Sequence, residues 1–201
     1  MIPSISKCMD IINKYQMLDN IKAHSIMVTK VAYILGSFLV KSGNNVSIEK
    51  IVAASLLHDI GKTEAIKSGG DHTEIGMNIC LENGFHEIAD IIGEHVILKK
   101  FDMQSPCTEK EIVYYSDKRV NHDKVVGLDE RLSYILERYA KGNSNMAKAI
   151  RRNFAICRKV EKKIFQRISL LPNDIPGLIN QVIFNETKGL IGWQEEISYL
   201  Q

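Results

Sequence analysis

Apolar residues recur at three- and four-residue spacing along almost the whole chain, and alternating runs between turn signals are scarce. The pattern predicts an all-α chain. Ser4 opens a short helix to about Tyr15, and a second helix from about Asn20 to Lys41 stops at Ser42-Gly43-Asn44-Asn45. Ser47 caps a helix that the periodicity carries through Gly61. Gly69-Gly70 breaks the chain before Asp71, which with Glu74 makes a D-x-x-E capping box for a helix to about Asn83. His86 to about Val96 is helical, Lys99 to Cys107 is a loop, and Thr108 with Glu111 boxes the start of a helix through Asp117 to about Val120. Asp129 caps a helix to Tyr139. Beyond Gly142-Asn143-Ser144 a long helix runs from Asn145 to about Leu171. Its apolar stripe is Met146, Ile150, Cys157, Val160, Ile164, Ile168 and Leu171, with basic residues such as Lys163 on its surface. Pro172 and Pro176 end it, and the tail to Gln201 is expected as one or two short helices. The turn at Gly142 separates a helical domain, residues 1–141 with its core at about 18–140, from a helical extension, residues 142–201.

Composition narrows the picture only slightly. The chain has 201 residues, 45% apolar and 25% charged, which suits one globular domain with a small appendage. A chain of this length buries about 70% of its unfolded surface, so it needs no disulfide or structural metal to hold a core. A metal site in it is then free to serve chemistry. The net charge of +2 neither demands nor excludes a polyanion. Cys8, Cys80, Cys107 and Cys157 lie far apart with no C-x-x-C pair, as expected of free thiols in a reducing cytoplasm. No apolar leader precedes Asp10, and no run approaches the ~20 apolar residues of a membrane span, so the expected location is cytoplasmic.

The informative positions are polar residues on apolar faces. His24 lies in the stripe Ile21, Val28, Val31, Leu35, Phe38, and Ile48, Ile51, Val52, Ser55 leads directly into His58 and Asp59. Lys62 follows at i+3 and i+4 from that pair. His72 leads Ile75, Gly76 and Ile79, His95 follows Ile88, Ile91 and Ile92, and Asp117 sits among Ile112, Val113, Ser116 and Val120. Separate helices thus direct imidazoles and carboxylates inward, where an unpartnered polar group costs several kcal/mol. One or two divalent metals would satisfy all six. His86 and His122 serve as controls: the first falls opposite His95 on its helix, and the second lies past a helix end.

The order His24, then His58-Asp59 within LLHDIGK, then Asp117 within YYSDKRV resembles the HD-domain superfamily of metal-dependent phosphohydrolases, over about His24 to Tyr139. The resemblance implies an HD-domain helical bundle in which His24, His58, Asp59 and Asp117 bind one metal. In members with further histidines at the places of His72 and His95, a second metal is held and the residue matching Asp59 bridges the two. No GYP follows His95, unlike the HD-GYP cyclic dinucleotide hydrolases, and HDIGK is not the HD-x-x-ED of guanosine tetraphosphate hydrolases. The ligand set is closer to HD-type hydrolases of dinucleoside tetraphosphates, and it is also similar to that of HD-fold di-iron oxygenases.

The implied activity is metal-dependent hydrolysis of a phosphate mono- or diester, of a nucleotide or related small molecule, by metal-bound hydroxide. Asp59 and Lys62 are the expected catalytic residues, Lys62 as a phosphate or leaving-group contact. The ligand types suit iron, manganese, cobalt, nickel or zinc, two ions per chain. A di-iron oxygenase and a non-catalytic nucleotide-binding regulatory module are the competing classes. Arg119, Lys99, Lys100 and His122 flank ligands but read as solvated or structural residues. A small phosphorylated substrate is the expected partner, with a second copy of the chain along the C-terminal apolar stripe; nucleic acid and membrane are not expected.

Overall fold

Helices begin where the sequence supplies a side chain to hold the first unpaired amides. In the computed structural model, which describes residues 1–194, Ser4 accepts from the Lys7 amide to open α1 (Ile5–Lys14). Leu18 precedes α2 (Asp19–Lys41), and Ser47 accepts from the Lys50 amide to open α3 (Ile48–Leu57). After α4 (Lys62–Ser68), Asp71 caps α5 (His72–Glu82) through the amide and hydroxyl of Thr73 instead of the expected reciprocal box with Glu74. Next come α6 (His86–Glu94) and α7 (Glu109–Lys118), the latter opened by the Thr108–Glu111 capping box. A small antiparallel hairpin, β1 (Val120–Asn121) and β2 (Lys124–Val125), leads to α8 (Leu128–Tyr139) and α9 (Ser144–Phe165).

The result is an all-α bundle organised around α2, which packs on α3 and α7. The α5–α6 pair lies against this layer, with α6 on α3 and α7, while α9 covers α7 and pairs with α8. One contiguous apolar core runs from Cys8 to Val182 and includes Phe154, Cys157, Val160 and Ile164 of α9. All four cysteines are free and buried. Contrary to the expectation that no segment approaches a membrane span, α2 is long and apolar enough to cross one. However, 67% of its most apolar window is buried inside the protein.

Several helix ends differ from the periodicity. The helix opened by Ser47 stops at Leu57, and His58 to Gly61 form a turn before α4. A Cβ built on Gly61 would lie 2.5 Å from the Gly76 nitrogen and closer still to the His72 carbonyl oxygen, so the turn presses backbone to backbone on the start of α5. A bulkier helix continuation would forbid that approach. Helix α8 starts two residues earlier than expected, with Gly127 at its cap, and Asp129 lies in the first turn, paired with Arg158. Helix α9 ends at Phe165, and Lys163 is fully buried instead of solvated because the Glu111 carboxylate meets it at 2.7 Å.

The tail is not purely helical. After two short 3-10 turns around α10 (Ile175–Leu178), β3 (Val182–Asn185) pairs antiparallel with β4 (Leu190–Trp193). Trp193 packs on Tyr33 and Phe38 of α2, and Glu186 pairs with Lys22 at 2.7 Å. These four-residue strands are too short for alternation to register in the sequence. The remainder of the tail expectation, residues 195–201, lies outside the described residues.

Candidate metal centre

Each sequence-identified ligand sits near a helix end or in the turn between helices, where backbone groups are free to hold it. His24 is in the second turn of α2, His58 and Asp59 are in the turn after α3, His72 opens α5, His95 follows α6, and Asp117 lies in the last turn of α7. The fold brings all six together. Successive imidazoles, His24 to His58 to His95 to His72, stand 4.9–5.3 Å apart between centroids. The donor atoms form two groups that share Asp59: His24, His58 and Asp59, and Asp59, His72 and His95, each within 4.8 Å of one another. Asp59 Oδ2 lies 3.5 Å from His58 Nε2, while its Oδ1 lies 3.5 Å from both His72 Nε2 and His95 Nε2. Asp117 Oδ1 is 3.1 Å from His24 Nε2 and 3.8 Å from His58 Nε2.

The backbone assigns the tautomers. Nδ1 of His24, His58 and His95 lies 2.8, 2.7 and 2.7 Å from the carbonyls of His122, Ser55 and Ile92. A carbonyl only accepts, so each Nδ1 donates, and each Nε2 of a neutral ring presents a lone pair to the centre. Those lone pairs face carboxylate oxygens, acceptor against acceptor. His58 Nε2 and Asp59 Oδ1 are buried without a hydrogen-bond partner. Buried polar atoms are almost always satisfied, so these two require a cation or extra protons. Imidazole and carboxylate donors from two groups with a common carboxylate fit divalent metal ions.

Electrostatics conforms to the same need. Burial pushes the Asp59 carboxyl up, but His58, His95 and Lys62 outweigh it and hold it well below the usual carboxylate range. Asp117 behaves likewise: burial is overcome by Lys118, His24, His58 and Arg131. Burial lowers His72 to about 4 and also lowers His95, so both rings are neutral near pH 7. For His58 burial is outweighed by Asp59 and Asp117, which raise it.

Other expected residues divide cleanly. Lys62 Nζ donates to Asp59 Oδ2 at 2.8 Å and is partly exposed, so it lies at the centre as an ion-pair partner of the shared carboxylate. Arg119 is buried and bonded to Val126 O, the Tyr115 hydroxyl and Pro172 O, a structural tie. Lys99 and Lys100 are exposed and line a separate cavity of about 520 Å³ beside Glu94. His122 contributes its carbonyl to His24 while its ring packs on Tyr134, and His86 is exposed.

Two cations at the centre escaped the sequence reading. Lys118 is buried and donates to His95 O and Asp117 Oδ2. Arg131 of α8 reaches within 3.9 Å of Asp117 Oδ1 and is steadied by Asn121 Oδ1 at 2.9 Å, while its Nε is buried without a partner. A signal existed: Arg131 interrupts the stripe Leu128, Leu132, Ile135 on the inward face of α8.

The HD domain family matches residues 21–121, a span that holds all six candidate ligands. An uncharacterized protein of Methanocaldococcus jannaschii is 26% identical over 145 residues, covering 66% of this chain and 85% of that protein. Ribonuclease Y of Treponema denticola is 29% identical over 189 residues, 84% of this chain but 35% of the relative. The bifunctional uridylyltransferase/uridylyl-removing enzyme of Vibrio cholerae is 29% identical over 97 residues, 44% of this chain and 10% of the relative. The chain therefore corresponds to about a third of the one and a tenth of the other. No solved structure matches it. With half its length matched and the matched half carrying the full set of histidines and aspartates, the chain belongs to the HD domain family.

Proposed function

We propose that the protein is a metal-dependent phosphohydrolase acting on a phosphate mono- or diester, a nucleotide or related small molecule, with two divalent transition-metal ions at the centre. The observation that carries this reading is Asp59, whose two oxygens face two separate sets of imidazoles. His24, His58, Asp59 and Asp117 would hold one ion, and Asp59, His72 and His95 the other. When bound, such ions supply a nucleophile from water at neutral pH and offset charge on phosphoryl oxygens.

The chain's own cations support phosphate chemistry in particular. Lys62 and Arg131 line both cavities that adjoin the centre, one of about 140 Å³ and one of about 360 Å³. A phosphoryl anion placed against Asp59 and Asp117 would meet the Lys62 ammonium and the Arg131 guanidinium, whose planar fork suits two phosphate oxygens. Lys118, bonded to Asp117 Oδ2 and His95 O, would position ligands from the edge of the larger cavity.

The test is to strip the protein and reload it separately with manganese, cobalt, nickel, zinc and iron. Metal content would be measured by elemental analysis and activity on p-nitrophenyl phosphate and bis(p-nitrophenyl) phosphate. The expected result is two ions per chain and turnover that disappears in Asp59→Ala. No ester cleavage with any metal, or oxygen uptake by the iron-loaded protein instead, would overturn the proposal.

A further inference from the structure

The larger cavity at the centre has a chemistry of its own. Its floor is the ligand cluster, with Asp59, His72, His95 and Asp117 on its surface, and the cations Lys62, Lys118 and Arg131 line that same charged end. Its walls are Val96, Ile135, Tyr139, Met146, Ile150 and Phe154. Ile135 and Tyr139 come from α8 and the last three from α9, beyond the residues 21–121 that match the HD domain. The family's region thus supplies the reacting end of this cavity, and α8 and α9, which follow it in the chain, supply most of the remainder.

Those walls offer little to a polar guest. Asn153 is the one amide among the described lining residues, and it is already engaged: its Nδ2 donates to Val96 O at 2.9 Å and its Oδ1 accepts from the Tyr114 hydroxyl at 2.8 Å. Phe154 is buried, Ile135 and Ile150 are partly buried, and Met146 and Tyr139 are exposed at the rim. A sugar or charged chain entering here would shed water without recovering its hydrogen bonds, whereas an apolar ring gains from every Å² it covers. Met146 adds an adaptable thioether contact. The volume, about 360 Å³, falls at the small end of ligand pockets and suits a ring-sized group.

We propose that this cavity is the leaving-group pocket of the centre, and that it selects compact phosphate esters whose ester group is apolar and ring-sized over sugar-terminated or polymeric ones. The inference rests on the phosphohydrolase reading for its orientation: a phosphoryl group beside Lys62 and Arg131 directs its ester substituent toward α8 and α9. It narrows the substrate from small phosphate esters in general to one class.

The experiment uses the full chain loaded with manganese. Turnover of benzyl phosphate is compared with that of glycerol 3-phosphate, both esters of ordinary alcohols. In parallel, calorimetry compares binding of the inert benzylphosphonate with methylphosphonate. The proposal expects a preference of about tenfold or more for the benzyl compound in both assays, the order that burying a ring against apolar walls provides. Ile150→Trp, which fills the cavity, should abolish the benzyl preference in both assays. Ile135→Trp fills it from α8 and serves if the first variant does not fold. Equal handling of benzyl and methyl compounds, or a preference that survives both substitutions, would overturn the pocket while leaving hydrolysis intact. A benzylphosphonate preference lost in Ile150→Trp, without hydrolysis of any ester, would instead sustain the pocket and remove the phosphohydrolase reading.

Discussion

Replacing Gly61 by alanine probes how the HDIGK turn sets the distance between the two halves of the centre. Gly61 has φ −77° and ψ −9°, ordinary helical values, so alanine meets no backbone penalty there. The obstacle is steric. Its Cβ would stand 2.5 Å from the Gly76 nitrogen and 3.0 Å from Ile75 Cβ, and nearer still to His72 O. Restoring ordinary contact near 3.5 Å requires the first turn of α5 to withdraw by about 1 Å. Backbone cannot yield as a side-chain tip can, so the expected cost is that of overpacking, ~1–3 kcal/mol. For a chain of this size that lowers the unfolding midpoint by roughly 2–12 °C. His72 moves with α5, whereas His24, His58 and Asp117 ride on other segments. Metal titration should therefore show one equivalent bound as in the wild type and the other weakened about 10- to 100-fold. Calorimetry with manganese, together with thermal unfolding of the metal-free protein, measures both effects. If G61A takes up both equivalents at wild-type affinity and melts at the wild-type temperature, the account of this turn is wrong.

Removing His72 and His95 together should reduce metal content from two ions per chain to one, whereas Asp59→Ala should lose both, as read by elemental analysis after gel filtration. Arg131→Met should raise KM for phosphate esters by roughly tenfold or more and weaken inhibition by inorganic phosphate, while metal stoichiometry stays unchanged. Lys163→Met strands the Glu111 carboxylate in the core and should cost ~3–5 kcal/mol in denaturant unfolding, with part regained when Glu111→Gln is added. Metal-free protein should lose stability on acidification between about pH 6.5 and 4. His72, lowered to about 4, stays neutral in the folded chain across most of that window, and His95 is lowered in the same direction, while the same rings in the unfolded chain take protons near ~6.5. His58, raised, works in the opposite sense. Denaturant midpoints that stay flat across that window would contradict the two-against-one balance.

Much of the centre was legible because a ligand must leave its polar atom on an apolar face, and periodicity exposes that conflict residue by residue. His24 and Asp117 stand out against Val28, Val31, Ile112 and Val113, and the cap at Thr108 is written in four residues. What escaped depends on partners distant in sequence. Lys163 looks like a solvent-facing lysine until Glu111, 52 residues earlier, closes on it. Arg131 broke its stripe visibly, but only the placement of α8 across the centre shows what it approaches. Helix continuation through Gly61 failed because 3.6-residue spacing cannot report that α5 needs the backbone bare at that point. Four-residue strands such as β3 and β4 carry too few positions for any period to show.

On the proposed function, the tie between α7 and α9 would make metal affinity and substrate choice difficult to alter separately. Tyr114 donates to Asn153, Tyr115 to Glu161, and Lys163 reaches Glu111, so the helix that walls the proposed ester cavity is fastened along the helix whose last turn carries Asp117. Exchanging α9 for another sequence to admit a new ester group would also loosen the mounting of Asp117, a proposed metal ligand. Change in specificity is thus confined to residues such as Ile150 and Met146, which line the cavity without taking part in that fastening.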